Sequence, residues 1–122
     1  LHEMAARGIN VSVASDNTRD PFYAYGDLDV LEVYREATRI AHFDHPVGAW
    51  PATVAANPAR AMGLEGTGLI AAGATADLVL FKGRSLTELL SRPESERIVI
   101  RAGRAIDATL PDYQELDELM EP

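Results

Sequence analysis

Residues 9–15, INVSVAS, alternate bulky apolar and small side chains with the two-residue period of a strand. Ile9, Val11 and Val13 share one face; Asn10, Ser12 and Ala14 share the other, and Asp16 continues it. The bulky face suits helices packed outside a sheet, and the small face suits a crowded, polar interior. By that parity Asp16 points inward at the C-terminal end of the strand. A helix pattern follows after a loop. One strand and one helix are half of a parallel unit, which cannot close a sheet alone. The N-terminal half therefore reads as the last piece of a larger α/β domain whose earlier strands lie outside this chain. Taken by itself, Asp16 is either an ordinary turn residue or a ligand at the mouth of a site.

The remaining elements follow from local signals. Residues 1–8, LHEMAARG, read as the end of a helix stopped by Gly8. Residues 18–27 are a loop broken by Pro21 and Gly26 and carrying Phe22, Tyr23 and Tyr25. Residues 28–43 form the clearest helix. Val30, Val33, Tyr34, Ala37, Ile40 and Ala41 make its apolar stripe, and Asp29 with Glu32 has capping-box spacing. A second helix is expected over 50–56 with Pro51 in its first turn, then a short one over 59–62, capped by Asn57-Pro58 and ended by Gly63. Beyond the glycines at 63–68 the texture changes. Residues 77–81 read as a strand, 85–91 as a short helix, and 97–106 as a hairpin turning at Ala102-Gly103. Residues 112–121 hold five acids and read as a solvated helix or frayed end. The expected organisation is the last piece of a larger α/β domain over 1–65 and a small β-rich module over 66–122.

Composition excludes several classes. With 11 basic and 19 acidic residues, the net charge of −8 disfavours nucleic-acid backbones as partners. No apolar run approaches the roughly 20 residues of a membrane span. Zero Cys removes disulfides, Cys-zinc sites and thiol nucleophiles, and agrees with a cytoplasmic protein. No signal peptide is visible, and the chain does not open with Met, so a fragment or processed product is expected. His42 and His45 have i, i+3 spacing, but Pro46 follows at once. They read as residues meeting a helix C-terminus rather than as ligands. His2 reads as part of a frayed start, Asp20 as a turn residue, and Asp77 as an acceptor for backbone donors at a strand start.

Two stretches resemble a known family. Asn57-Pro58-Ala59, Gly68-Leu69-Ile70, Gly73 and Ala76-Asp77, followed by the hairpin, resemble the C-terminal segment of amidohydrolase-superfamily enzymes. Residues 15–33, SDNTRDPFYAYGDLDVLEV, look like the corresponding segment of bacterial cytosine deaminases. The resemblance covers nearly the whole chain. It implies the α/β fold class: the C-terminal part of a (β/α)8 barrel, with its last strand and following helices, plus part of a small β-sandwich. It also implies one divalent metal ion, iron or zinc, in the intact enzyme. Asp16 would be its aspartate ligand and would also move a proton between water and substrate. Phe22 would wall the substrate pocket. Asn17 would lie beside the substrate, where such enzymes can carry a second Asp. Ser15 stands where such enzymes carry His. The implied substrate is a small heterocycle, cytosine or a related cyclic amidine, deaminated hydrolytically. Isocytosine, a triazine, a purine or a cyclic amide remain open, as does a non-catalytic scaffold homologue. The resemblance further implies a homo-oligomer, and the family's other ligands belong to strands that this chain lacks. The segment alone is expected to be inactive and to bind no metal.

Overall fold

The computed structural model describes residues 1–92, 96–107, 109 and 112–120. Helix α1, His2–Ala6, ends where Gly8 turns left-handed at φ 76°. It is not a frayed start: the His2 Nε2 lies 2.8 Å from the Ala41 carbonyl, and its ring packs 4.5 Å from that of Trp50. His2 thus ties α1 to the carbonyl end of the main helix, α2, Val30–Ala41. The α2 N-cap is Asp29, whose carboxylate accepts from the Leu31 N–H. His42 closes it in a left-handed C-cap at φ 56°.

Residues 9–15 form no paired strand, which corrects the sequence reading. Among the described residues, no strand lies beside them. Hydrogen bonds to residues 53–57 hold them instead: Val13 N–H to the Thr53 carbonyl at 3.1 Å, Asn57 Nδ2 to the Val11 carbonyl at 2.7 Å and Asn10 Nδ2 to the Asn57 carbonyl at 2.9 Å. A ladder needs a neighbour, and a period-2 pattern cannot supply one. The alternation itself persists in part, with Val11 buried and Asn10, Ser12 and Ala14 exposed, although Ile9 is half exposed. The α2 stripe is likewise incomplete: Leu31 and Tyr34 are buried, but Val30 and Ile40 are exposed.

The expected 50–56 helix is a 3-10 turn, Pro51–Val54, and a separate α3 runs over Ala56–Ala61. Pro58 has no N–H for the Val54 carbonyl, so a continuous α-helix loses a bond there, and the chain breaks at Ala55. Asn57 is therefore not a cap. It sits inside α3 and spends its amide on Val11. The principal core is the stack of Phe43 on Trp50, ring centroids 4.3 Å apart and nearly parallel, closed by Tyr34. Val13, Ala37, Ala41, Val54 and Leu90 pack around it.

The second half is antiparallel. Strands β1, Leu78–Phe81, β2, Arg97–Arg101, and β3, Arg104–Ala105, pair in that order, with Val79 opposite Val99 and Ile100 opposite Ala105. Helix α4, Leu86–Ser91, lies between β1 and β2 in sequence and is capped by Ser85, whose hydroxyl accepts from the Glu88 N–H. Ala102 and Gly103, both at positive φ, make the hairpin turn. Asp77 takes the expected role, accepting the Ala102 N–H at 2.7 Å while pairing with Arg101. A 3-10 turn, Tyr113–Leu116, and α5, Asp117–Met120, complete the tail; its Glu121 lies outside the described residues.

The halves are joined by a two-point ion pair. Both Arg97 guanidinium Nη atoms reach the Asp29 carboxylate, at 2.7 and 2.8 Å, and both side chains are mostly shielded from solvent. Arg35 adds a bond to the Arg92 carbonyl. The start of α2, and with it the loop from residue 16, is thereby held against β2.

Candidate functional site

Asp16 ends the extended segment at φ 60°, a left-handed conformation uncommon for a side-chain-bearing residue. Its carboxylate is exposed and has no hydrogen-bond or ionic partner among the described residues. The chain bends at the next residue, Asn17, and this acid stands uncommitted at the head of a loop.

The loop itself is tightly organised. Asn17 Nδ2 donates to Asp20 Oδ2 at 2.8 Å. The other oxygen of Asp20 accepts the N–H groups of Phe22 and Tyr23, both at 2.9 Å. These donors hold the Asp20 carboxyl below its ordinary range, the Asn17 amide contributing most and the Tyr23 N–H next. Arg19 brackets the far side: its N–H bonds the Tyr25 carbonyl at 3.1 Å and its Nε the Gly26 carbonyl at 2.7 Å. Position 26 favours glycine, since its φ is +91° and a Cβ there would lie 2.9 Å from the Thr18 methyl. The loop then runs through Asp27, which accepts the Asp29 N–H, into the α2 cap. The Asp29 carboxyl is also held low, first by the hydrogen bonds from Arg97.

A groove of about 380 Å³ separates residues 13–18 from α2. Its floor is apolar, from Val13, Val33, Ala37 and Ile40, and Asn17 and Tyr23 line its rim. Asp16 and Phe22 do not line it. The groove follows the uncovered part of the α2 stripe.

Asp16 and its neighbour Asn17 thus stand at the head of the loop, and Phe22, 88% exposed, stands apart from them. A divalent ion in a catalytic site needs about three protein ligands. Among the described residues no three His, Cys, Asp or Glu side chains lie close enough to share one. Among the described residues Asp16 therefore fits only as a single ligand, the others of such a site having to come from elsewhere. His42 is engaged as the α2 C-cap, and His45 is exposed beside Asp44.

The sequence reading gave Asp20 only a turn role and overlooked the Asp29–Arg97 clamp. Asp20 carried a signal, an Asx residue before Pro21 and three positions after Asn17. The clamp joins residues 68 positions apart and had no local signal.

Residues 1–107 match the model of a family described as the amidohydrolase family. The pterin deaminase of Rhizobium rhizogenes is 57% identical over 120 residues, covering 98% of this chain and 28% of that protein. The structure of 5-methylcytosine deaminase from Klebsiella pneumoniae, liganded with phosphonocytosine, superposes with a TM-score of 0.65 at 27% identity, covering 92% of this chain and 28% of that one. The chain therefore spans little more than a quarter of the length of these relatives.

Proposed function

The chain belongs to the amidohydrolase family, and from that premise we propose that the intact protein is a metal-dependent deaminase of an aminated lactam heterocycle, to which this chain contributes Asp16 as one metal ligand. The observation that carries the substrate class is the 57% identity to a pterin deaminase across 98% of the chain. A pterin is a fused ring system whose amino-lactam half is isocytosine, so this reading includes one of the alternatives raised by the loop sequence. Cytosine or 5-methylcytosine is the second reading, favoured by the structural match to a 5-methylcytosine deaminase.

In this reading the labour divides as follows. Residues 1–65 supply the end of the barrel and 66–122 part of the adjoining β-sandwich. Asp16 is exposed and uncommitted at the head of the loop, so its carboxylate is available both to a metal and to a proton. Together with ligands outside this chain, Asp16 would hold a divalent ion, which would lower the pKa of a water so that hydroxide is available near neutral pH. Asp16 carries a proton toward the departing amine, so that ammonia and not amide leaves. Asn17, next in the chain, meets the heterocycle. Phe22 is kept as a pocket wall facing parts of the protein outside this chain. Because the remaining ligands also lie outside it, the 122-residue segment turns over no substrate by itself.

The test is ammonia release by the intact protein from pterin, isocytosine and cytosine at equal concentration. Preferential turnover of pterin supports the first reading, and preference for cytosine supports the second. No ammonia from any of them, with metal present, refutes both.

A further inference from the structure

We propose that Asp20 is a positioning residue that locks the Asn17 amide with its carbonyl oxygen outward, so that position 17 accepts a hydrogen bond from a neutral lactam N–H or amine of the substrate. The proposal rests on the reading above that Asn17 meets the heterocycle. Its own basis is the polarity of the Asn17–Asp20 pair. An ionised carboxylate can only accept hydrogen bonds, so the amide must turn its NH2 toward Asp20 whichever way the side chain is first drawn. The contact is 2.8 Å. Asn17 Oδ1 is then left without a partner among the described residues. Asp20 cannot swing aside, because its second oxygen is held by the N–H groups of Phe22 and Tyr23.

The consequence is a specificity rule. A free Asn offers either a donor or an acceptor to a ligand, whereas this one offers an acceptor only. It copies the hydrogen-bonding sense of an aspartate without its charge. Position 17 therefore favours a neutral ring that presents N–H at the matching edge, and rejects an N-alkylated ring or one with a bare ring nitrogen there.

The experiment uses the intact protein and whichever of pterin, isocytosine and cytosine it deaminates fastest, with KM and kcat read by ammonia release. Three variants are compared: N17A, D20N and the double variant N17D/D20N. D20N keeps an oxygen for the Phe22 and Tyr23 N–H groups, but its new NH2 can bond Asn17 Oδ1 and reverse the amide. Loss of one neutral hydrogen bond raises KM about tenfold in both single variants, with a smaller fall in kcat. In N17D/D20N the carboxylate at position 17 can only accept, so KM returns to within about threefold of the parent value. A loop that D20N merely loosened would not recover on a second substitution. If N17A raises KM and D20N does not, the positioning role is wrong and the functional reading stands. If D20N raises KM and the double variant fails to restore it, the role of Asp20 is structural and the proposal falls. An unchanged KM in N17A overturns the placement of Asn17 at the substrate, and the proposal with it.

Discussion

Substituting Gly68 by Ala tests how the second half of the chain fixes the first. Gly68 sits at φ +73°, and a Cβ there would lie 2.6 Å from the Ala55 carbonyl oxygen, 2.8 Å from its carbon and 2.9 Å from Ala56 Cα. All three atoms are backbone, so the collision cannot be relieved by a side-chain rotation. Gly66 provides the control: it has nearly the same φ, +68°, but a Cβ there meets nothing within 4 Å. Both substitutions carry the left-handed penalty of about 1–2 kcal/mol. Only Gly68→Ala adds the overpacking cost of about 1–3 kcal/mol. The difference between the variants, about 2 kcal/mol, is a shift of about 1 M in urea midpoint at an ordinary denaturant slope. The assay is urea unfolding of the chain followed by its single tryptophan, Trp50, which stacks on Phe43. Equal midpoints for the two variants would refute the close approach. The functional reach of the contact runs through α3: Ala55 precedes the helix whose Asn57 holds Val11, and Val11 leads to Asp16.

Two further outcomes follow from named contacts. Replacing Asn57 by Ala removes the 2.7 Å bond to Val11, costs about 1–2 kcal/mol and speeds amide exchange across residues 9–16, read by hydrogen exchange. The Asp29 carboxyl is held below its ordinary value by Arg97, so its contribution to stability is complete above the unfolded-state value and is lost as pH falls through the lower folded value. Urea midpoints between about pH 7 and about pH 3 should therefore fall more steeply in the parent than in Asp29→Asn, and identical slopes would contradict the clamp.

Legibility in the sequence tracked the range of the interaction that decides each element. Helix α2 is capped by Asp29, α4 by Ser85, and the hairpin turns at Ala102-Gly103, because caps and turns are settled within four residues. The extended segment was legible as alternation but not as an unpaired run, since pairing depends on a neighbour that the described residues do not contain. Asn57 carries the right residue type for a cap, yet a partner 46 positions away claims its amide. At the candidate site, parity singled out Asp16, and family likeness alone singled out Asn17 and Phe22. The polarity of Asn17 needed the geometry of Asp20, and the anchoring of the loop through Asp29 needed Arg97 from β2.

The most direct test of the account is Asp16→Ala in the intact protein, with bound metal measured by elemental analysis and ammonia release measured from pterin, isocytosine and cytosine. If Asp16 is a metal ligand that also moves the proton, the variant stays folded by circular dichroism, retains less metal than the parent and releases no ammonia above background, even with added metal. Full metal content with parental turnover would contradict the claim at its centre.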